Sequence, residues 1–200
     1  MVTNQPSPVE IQNFGSVRKV VAPSGWKKLV DSPTSIGTRS GELFHPPEDV
    51  DVNINVFYRG MPVDDEAAAS FRRLLAVPLP HGQSRNLTED EIRSLATVMG
   101  FSTVGDNQYT NPSAKGSRDY PTFHLSSAAV VSINGRTILK CRGNFQNEKA
   151  VPGTEYEGFF FPSKGTPSQI EELFYQAPTR GKFLRYTAEW EKCLKTLEWN

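Results

Sequence analysis

Ala128-Ala129-Val130-Val131-Ser132-Ile133-Asn134-Gly135-Arg136-Thr137-Ile138-Leu139-Lys140-Cys141-Arg142 sets the architecture of the chain. Two β-rich runs flank an Asn-Gly pair, the dipeptide that tolerates the positive φ angles of a type I′ turn. With Asn134 and Gly135 in the turn, Val131 stands opposite Ile138 on one face, and Val130 opposite Leu139 and Ala128 opposite Cys141 on the other. The face with Val130, Leu139 and Cys141 is assigned to the core. Arg136, Lys140 and Arg142 share the other side, where they read as a solvated face or as a row of cations for acidic protein or phosphate.

Downstream, Tyr156-Glu157-Gly158-Phe159-Phe160-Phe161 reads as a strand and Pro162 to Pro167 as a turn. A strand puts successive side chains on opposite faces. Phe159 and Phe161 therefore fill core on a second face or stand as an exposed aromatic patch for a partner. Ser168 to Ala177 is ambiguous. Ile170, Leu173 and Phe174 fit a helix, but the setting between hairpins and a terminal helix favours a strand, which is preferred. Phe183, Thr187, Trp190, Leu194 and Leu197 recur at intervals of four, three, four and three, which predicts an amphipathic helix across a sheet. Trp199 is expected to close the bottom of the core.

Upstream, Ser102 to Thr122 is polar and rich in Gly, Asn, Ser and Pro, a length that in a compact domain is either functional or mobile. Before it, Thr88-Glu89-Asp90-Glu91 has the spacing of a capping box, with Ile92, Leu95, Ala96 and Met99 following at helical intervals. An earlier helix is predicted from Asp64, a capping residue, with Ala67, Phe71, Leu74 and Leu75 on one face and Pro78 and Pro80 at its end. Val50, Val52, Ile54, Val56 and Tyr58 alternate as a strand with one face on a core. Gly41 to Phe44, Val17 to Val21 and Trp26 to Val30 read as shorter strands, and Pro23-Ser24-Gly25-Trp26 as a turn with an aromatic plug. Residues 1–13 read as a flexible N-terminal arm and 14–200 as one α+β domain, an antiparallel β-sheet flanked by helices.

Two hundred residues, 37% of them hydrophobic with 12 Phe, 6 Tyr and 3 Trp, describe a packed chain rather than a disordered one. Lys plus Arg equals Asp plus Glu at 22 each, so no overall field draws the protein to nucleic acid. Cys141 and Cys193 form neither a CxxC nor a disulfide framework, and both read as small buried hydrophobes. The start lacks the basic and apolar regions of a leader, and no apolar run approaches the ~20 residues of a membrane span. The expected setting is soluble and cytoplasmic, unless Met1 stands in place of a removed leader.

Several of these segments together resemble the PsbP-like superfamily. The carrying residues are Ile133-Asn134-Gly135-Arg136, Ile138 to Gly143, Phe174-Tyr175-Gln176-Ala177-Pro178, Leu194 to Trp199, and the opening Pro-Ser-Gly-Trp26. The resemblance covers about half the chain and implies a PsbP-like sandwich, a scaffold without a shared active site. It also implies a role in binding another protein, since relatives include photosystem accessory proteins, a nuclear GTPase-binding factor, bacterial lipoproteins and chaperones of secreted toxins. The polar insertion from Ser102 to Thr122 and the tandem helices depart from the compact members.

Chemistry has few carriers. The histidines, His45, His81 and His124, do not pair at metal or triad spacing. His45-Pro46-Pro47-Glu48-Asp49-Val50-Asp51 places an imidazole and three carboxylates on one turn, which reads as a solvated acidic turn or as a divalent-cation site. There is no Gly-x-Ser-x-Gly elbow, and burial of Cys141 would raise its thiol pKa. Gly100 to Gly105 follows a helix instead of preceding one, the wrong context for a phosphate loop.

The leading expectation is thus a non-catalytic protein-binding module without cofactor: an accessory factor, a toxin-neutralising immunity protein or a secretion chaperone. Its partner surface is expected to combine Phe159 and Phe161 with the 107–120 loop, including Arg118, Asp119 and Tyr120. The alternative is a small metal-dependent hydrolase using His45, Glu48, Asp49 and Asp51, with His124 as a further candidate.

Overall fold

The computed structural model describes residues 9–29, 41–62, 64–98, 108–109, 122–146, 152–166 and 168–200. In chain order the elements are β1 (Glu10–Phe14), β2 (Val17–Val21), β3 (Lys27–Leu29), β4 (Gly41–His45), β5 (Asn53–Pro62), α1 (Asp65–Leu75), β6 (Ser84–Asn86) and α2 (Glu89–Val98). They continue with β7 (Gln108–Tyr109), β8 (Thr122–Ile133), β9 (Arg136–Gln146), β10 (Pro152–Pro162), β11 (Gln169–Ala177), α3 (Arg180–Lys195) and β12 (Glu198–Trp199).

The β8–β9 hairpin forms in the expected register: Val131 faces Ile138, Val130 faces Leu139 and Ala128 faces Cys141. Its turn has φ +48° at Asn134 and +82° at Gly135, the left-handed pair that a type I′ turn requires. From this hairpin an antiparallel nine-stranded sheet extends in the order β3-β4-β5-β11-β10-β9-β8-β6, with β7 also on β8. A separate sheet has the order β1-β2-β12. The ambiguous 168–177 segment is strand β11, because β5 and β10 flank it and pair with it on both edges.

Both faces of the large sheet are covered. Val130, Leu139, Cys141, Tyr156 and Phe160 pack with Ala67, Phe71 and Leu75 of α1 and Leu95 of α2. On the opposite face Ile138, Phe159, Phe161, Leu173 and Tyr175 pack with Phe183, Tyr186, Trp190 and Cys193 of α3 and with Val17 and Val20 of the small sheet. Each large apolar side chain so enclosed contributes roughly 1.5–3 kcal/mol.

The helix boundaries follow their caps. Asp64 accepts a 2.7 Å hydrogen bond from the Ala67 amide. In the capping box before α2, Thr88 N–H donates to Glu91 Oε2 (2.9 Å) and Glu91 N–H to Thr88 Oγ1 (3.3 Å). Thr179 caps α3 through the Lys182 amide.

Three expectations are corrected. Of the arm expected over 1–13, residues 10–13 belong to β1, which pairs with β2 and buries Ile11 opposite Val20, while residues 1–8 lie outside the described residues. The strand expected from Val50 begins at Asn53, since residues 49–52 close a turn through Val52 N–H to Asp49 O (3.0 Å) and leave Val50 64% exposed. The α3 stripe runs through Phe183, Tyr186, Trp190 and Cys193, with Thr187 half-buried because its hydroxyl donates back to Phe183 O (2.8 Å). Polar β6 had no alternation to reveal it and forms as an edge on β8.

Candidate functional site

Phe159 and Phe161 do not form a surface patch. They are 2% and 0% exposed, against Trp190 (centroids 5.7 Å apart) and Trp199 (4.9 Å) respectively, because α3 and β12 cover their face of the sheet. This corrects their expected role in a partner surface. Arg118, Asp119 and Tyr120, expected beside them, lie outside the described residues.

Nor is the basic row on β9 a solvated face. Lys140 pairs with buried Glu157 (3.0 Å) and lies over Phe159, Arg142 lies over Phe183, and Arg136 lies over Phe161 and Trp199 while donating to Pro162 O (2.8 Å). Burial lowers the Arg136 guanidinium pKa, with the Glu171 charge opposing that shift. These cations frame α3.

The acidic turn after β4 also serves α3. Asp49 pairs with Lys182 and accepts from Tyr186 OH (2.7 Å), and Glu48 accepts from the same hydroxyl (3.0 Å) with Arg185 at 3.6 Å. The Lys182 and Tyr186 hydrogen bonds hold the Asp49 carboxyl below its ordinary pKa. His45 is buried with Nδ1 2.8 Å from Pro46 O, whereas Asp51 is exposed. Among the described residues no three His, Cys, Asp or Glu side chains are placed to share a cation. His124 is half-buried on β8 opposite Gln108 and Asn144, away from that turn in the sheet order. Burial pushes the Cys141 thiol pKa far up and that of Cys193 to about 12, so both stay protonated at neutral pH.

An open groove of about 660 Å³ lies at the C-terminal end of α3, lined by Arg18, Lys19 and Val21 of β2, Asn134 of the hairpin turn, and Lys195 to Trp199. Local chemistry builds it. Thr196 ends α3 by donating to Cys193 O (2.7 Å) and accepting from Val21 N–H (2.8 Å), which fixes the helix against β2. Asn134 Nδ2 donates to Leu197 O (2.5 Å) and Trp199 Nε1 to Ile133 O (2.9 Å), so the hairpin turn anchors the C-terminal segment. The positive φ that makes Asn134 a turn residue thus also aims its side chain into this junction.

Three cations and one carboxylate line the groove. Arg18 pairs with Glu198 and Lys19 with Glu10 at exposed positions, where ion pairs contribute about 0–1 kcal/mol and exchange readily with other anions. Lys195 is exposed and makes no ion pair among the described residues. The arrangement can hold an extended chain bearing carboxylates. It places no nucleophile beside a base. Sequence reasoning missed it, since its lining comes from three distant segments.

No protein-family model matches the chain, and no curated protein matches it. Among solved structures, the solution structure of cyanobacterial PsbP (CyanoP) from Synechocystis sp. PCC 6803 is similar with a TM-score of 0.56 at 7% sequence identity, covering 100% of this chain and 96% of that one. A likeness at that identity is one of fold. It agrees with the PsbP-like α+β architecture expected from the hairpin, the Ala177-Pro178 strand end and the terminal helix. No helix among the described residues is long and apolar enough to cross a membrane.

Proposed function

We propose that this PsbP-like chain is a non-catalytic protein-binding module, and that an acidic, extended segment of its partner lies in the groove at the end of α3. The carrying observation is the excess of cations along that groove, with Lys195 uncommitted and Arg18 and Lys19 in exposed pairs that a partner's carboxylates can replace. The reading is supported by the fate of the candidate catalytic groups: Glu48 and Asp49 secure α3, and both thiols are buried. Accessory factor, immunity protein and secretion chaperone are all compatible with such a groove, and the partner's identity chooses among them.

A photo-crosslinking residue at position 198, the groove's one carboxylate, in the cells that make the protein, tests this. One salt-sensitive adduct is expected, lost when Lys19→Glu is added and retained when Leu184→Ser is added on the exposed side of α3. Equal adducts with and without Lys19→Glu, or none from position 198, would overturn the proposal.

A further inference from the structure

The sheet face that α1 and α2 cover on β9 and β10 carries, on the next strands, a row of hydrogen-bond acceptors. Val52 just before β5, Ile54 and Val56 of β5, and Leu173, Tyr175 and Ala177 of β11 belong to the α3 core. Side chains alternate along a strand, so Asn53 and Asn55 of β5 and Glu172, Phe174 and Gln176 of β11 share the opposite face. The register sets them side by side: Asn53 is opposite Gln176, Asn55 opposite Phe174, and on the other edge of β11 Gln176 is opposite Tyr156 and Glu172 opposite Phe160. Such neighbours lie about 5 Å apart.

Two observations set this patch apart. The Oδ1 atoms of Asn53 and Asn55 are buried without any hydrogen-bond partner, and Asn53 is only 7% exposed. Native folds rarely leave buried polar atoms unmatched, and an exception calls for a donor. Between them and the helices, Tyr156 reaches across Gly158, donates its hydroxyl to Glu172 Oε1 and stacks with Phe174 at 5.5 Å. Glu172 makes no ion pair among the described residues. Burial raises its carboxyl pKa to about 7, as expected of an acid lacking a cationic neighbour. Two amide oxygens without donors, a carboxyl without an ion pair and aromatic faces together match a planar cation with several N–H groups.

We propose that this face is a binding site for a small guanidinium compound, with its N–H groups on Asn55 and the Glu172 carboxylate and its plane against Phe174 beside Tyr156. The proposal is independent of the groove at the end of α3.

Titration of the full chain with L-arginine and with its uncharged isostere L-citrulline at pH 8, followed through the side-chain amide NMR signals of Asn53 and Asn55, tests it. Saturable shifts with arginine, at least tenfold weaker with citrulline, are expected. Glu172→Gln should weaken arginine binding tenfold or more, whereas Asn55→Asp, which keeps an acceptor and adds charge, should retain or tighten it. No saturable shift, equal response to citrulline, or unchanged affinity in Glu172→Gln would each overturn the site. Should Glu172→Gln lose the dispersed spectrum of a folded chain, Asn55→Leu replaces it with the same tenfold criterion.

Discussion

The indole N–H of Trp190 donates a 2.8 Å hydrogen bond to Oε1 of Glu157, a carboxylate 7% exposed in the middle of the large sheet. Lys140 of the next strand meets the other oxygen at 3.0 Å. One acid therefore joins α3 to β9 and β10 beneath a fully buried tryptophan. Replacing Glu157 with Ala leaves the indole N–H and a half-buried ammonium without their acceptor, a loss of about 1–3 kcal/mol. Trp190→Phe, which removes the N–H but keeps an aromatic ring, should lose part of that on top of a cavity term. Urea denaturation of both variants and the double variant checks this: the double variant should cost less than the two losses combined, and strict additivity would show that the bond is energetically idle.

Gly158 sits where the Tyr156 ring crosses its own strand. A Cβ there would overlap the Tyr156 hydroxyl oxygen and lie 2.5 Å from the ring carbon that bears it, so Gly158→Ala must displace that side chain from Glu172 and Phe174. Overpacking of this kind costs about 1–3 kcal/mol. In a Tyr156→Ala background the same substitution should be nearly free, as measured by the shift in denaturation midpoint; an equal cost in both backgrounds would count against the crossing.

Glu172 makes stability depend on pH near neutrality. Its carboxyl pKa is raised from an ordinary 4.5 to about 7 by burial, against a smaller opposing effect of the Tyr156 hydroxyl. Between those values the folded chain holds a proton that the unfolded chain has lost. Its contribution is therefore full below pH 4.5, declines as pH rises, and levels off above about 7. Glu172→Gln should flatten that decline in denaturation series from pH 5 to 8. A wild-type slope that survives the substitution would assign the dependence to another group.

Asn134 combines a left-handed backbone with the tie to Leu197 O. Asn134→Gly keeps the turn and loses the tie, at about 1 kcal/mol. Asn134→Ala loses the tie and adds the strain of a Cβ at positive φ, together about 2–3 kcal/mol. Thermal unfolding should rank wild type above Asn134→Gly above Asn134→Ala; reversal of the two variants would show that a Cβ at this positive φ carries no strain.

Local rules made most elements legible. Asn134-Gly135 announces its turn because few dipeptides accept two positive φ angles, and Asp64, Thr88 and Glu91 announce helix starts because free first-turn amides need an acceptor. Those signals act within a few residues of their source. β1 and β6 escaped because their sequences are largely polar, and their hydrogen bonds are completed by β2 and β8, which no local pattern specifies.

The sequence by itself determined the hairpin register, the capped helices and the terminal amphipathic helix. Only the tertiary structure decided which side of each strand met which layer. The placement of α3 and the small sheet over the second face turned Phe159 and Phe161 into core and the β9 cations into a frame for α3. The same packing brought residues 18–21, 134 and 195–199 to one groove. Period-2 alternation says that a strand has two faces; what covers each is set by burial between distant segments, and that is where this chain's candidate sites arise.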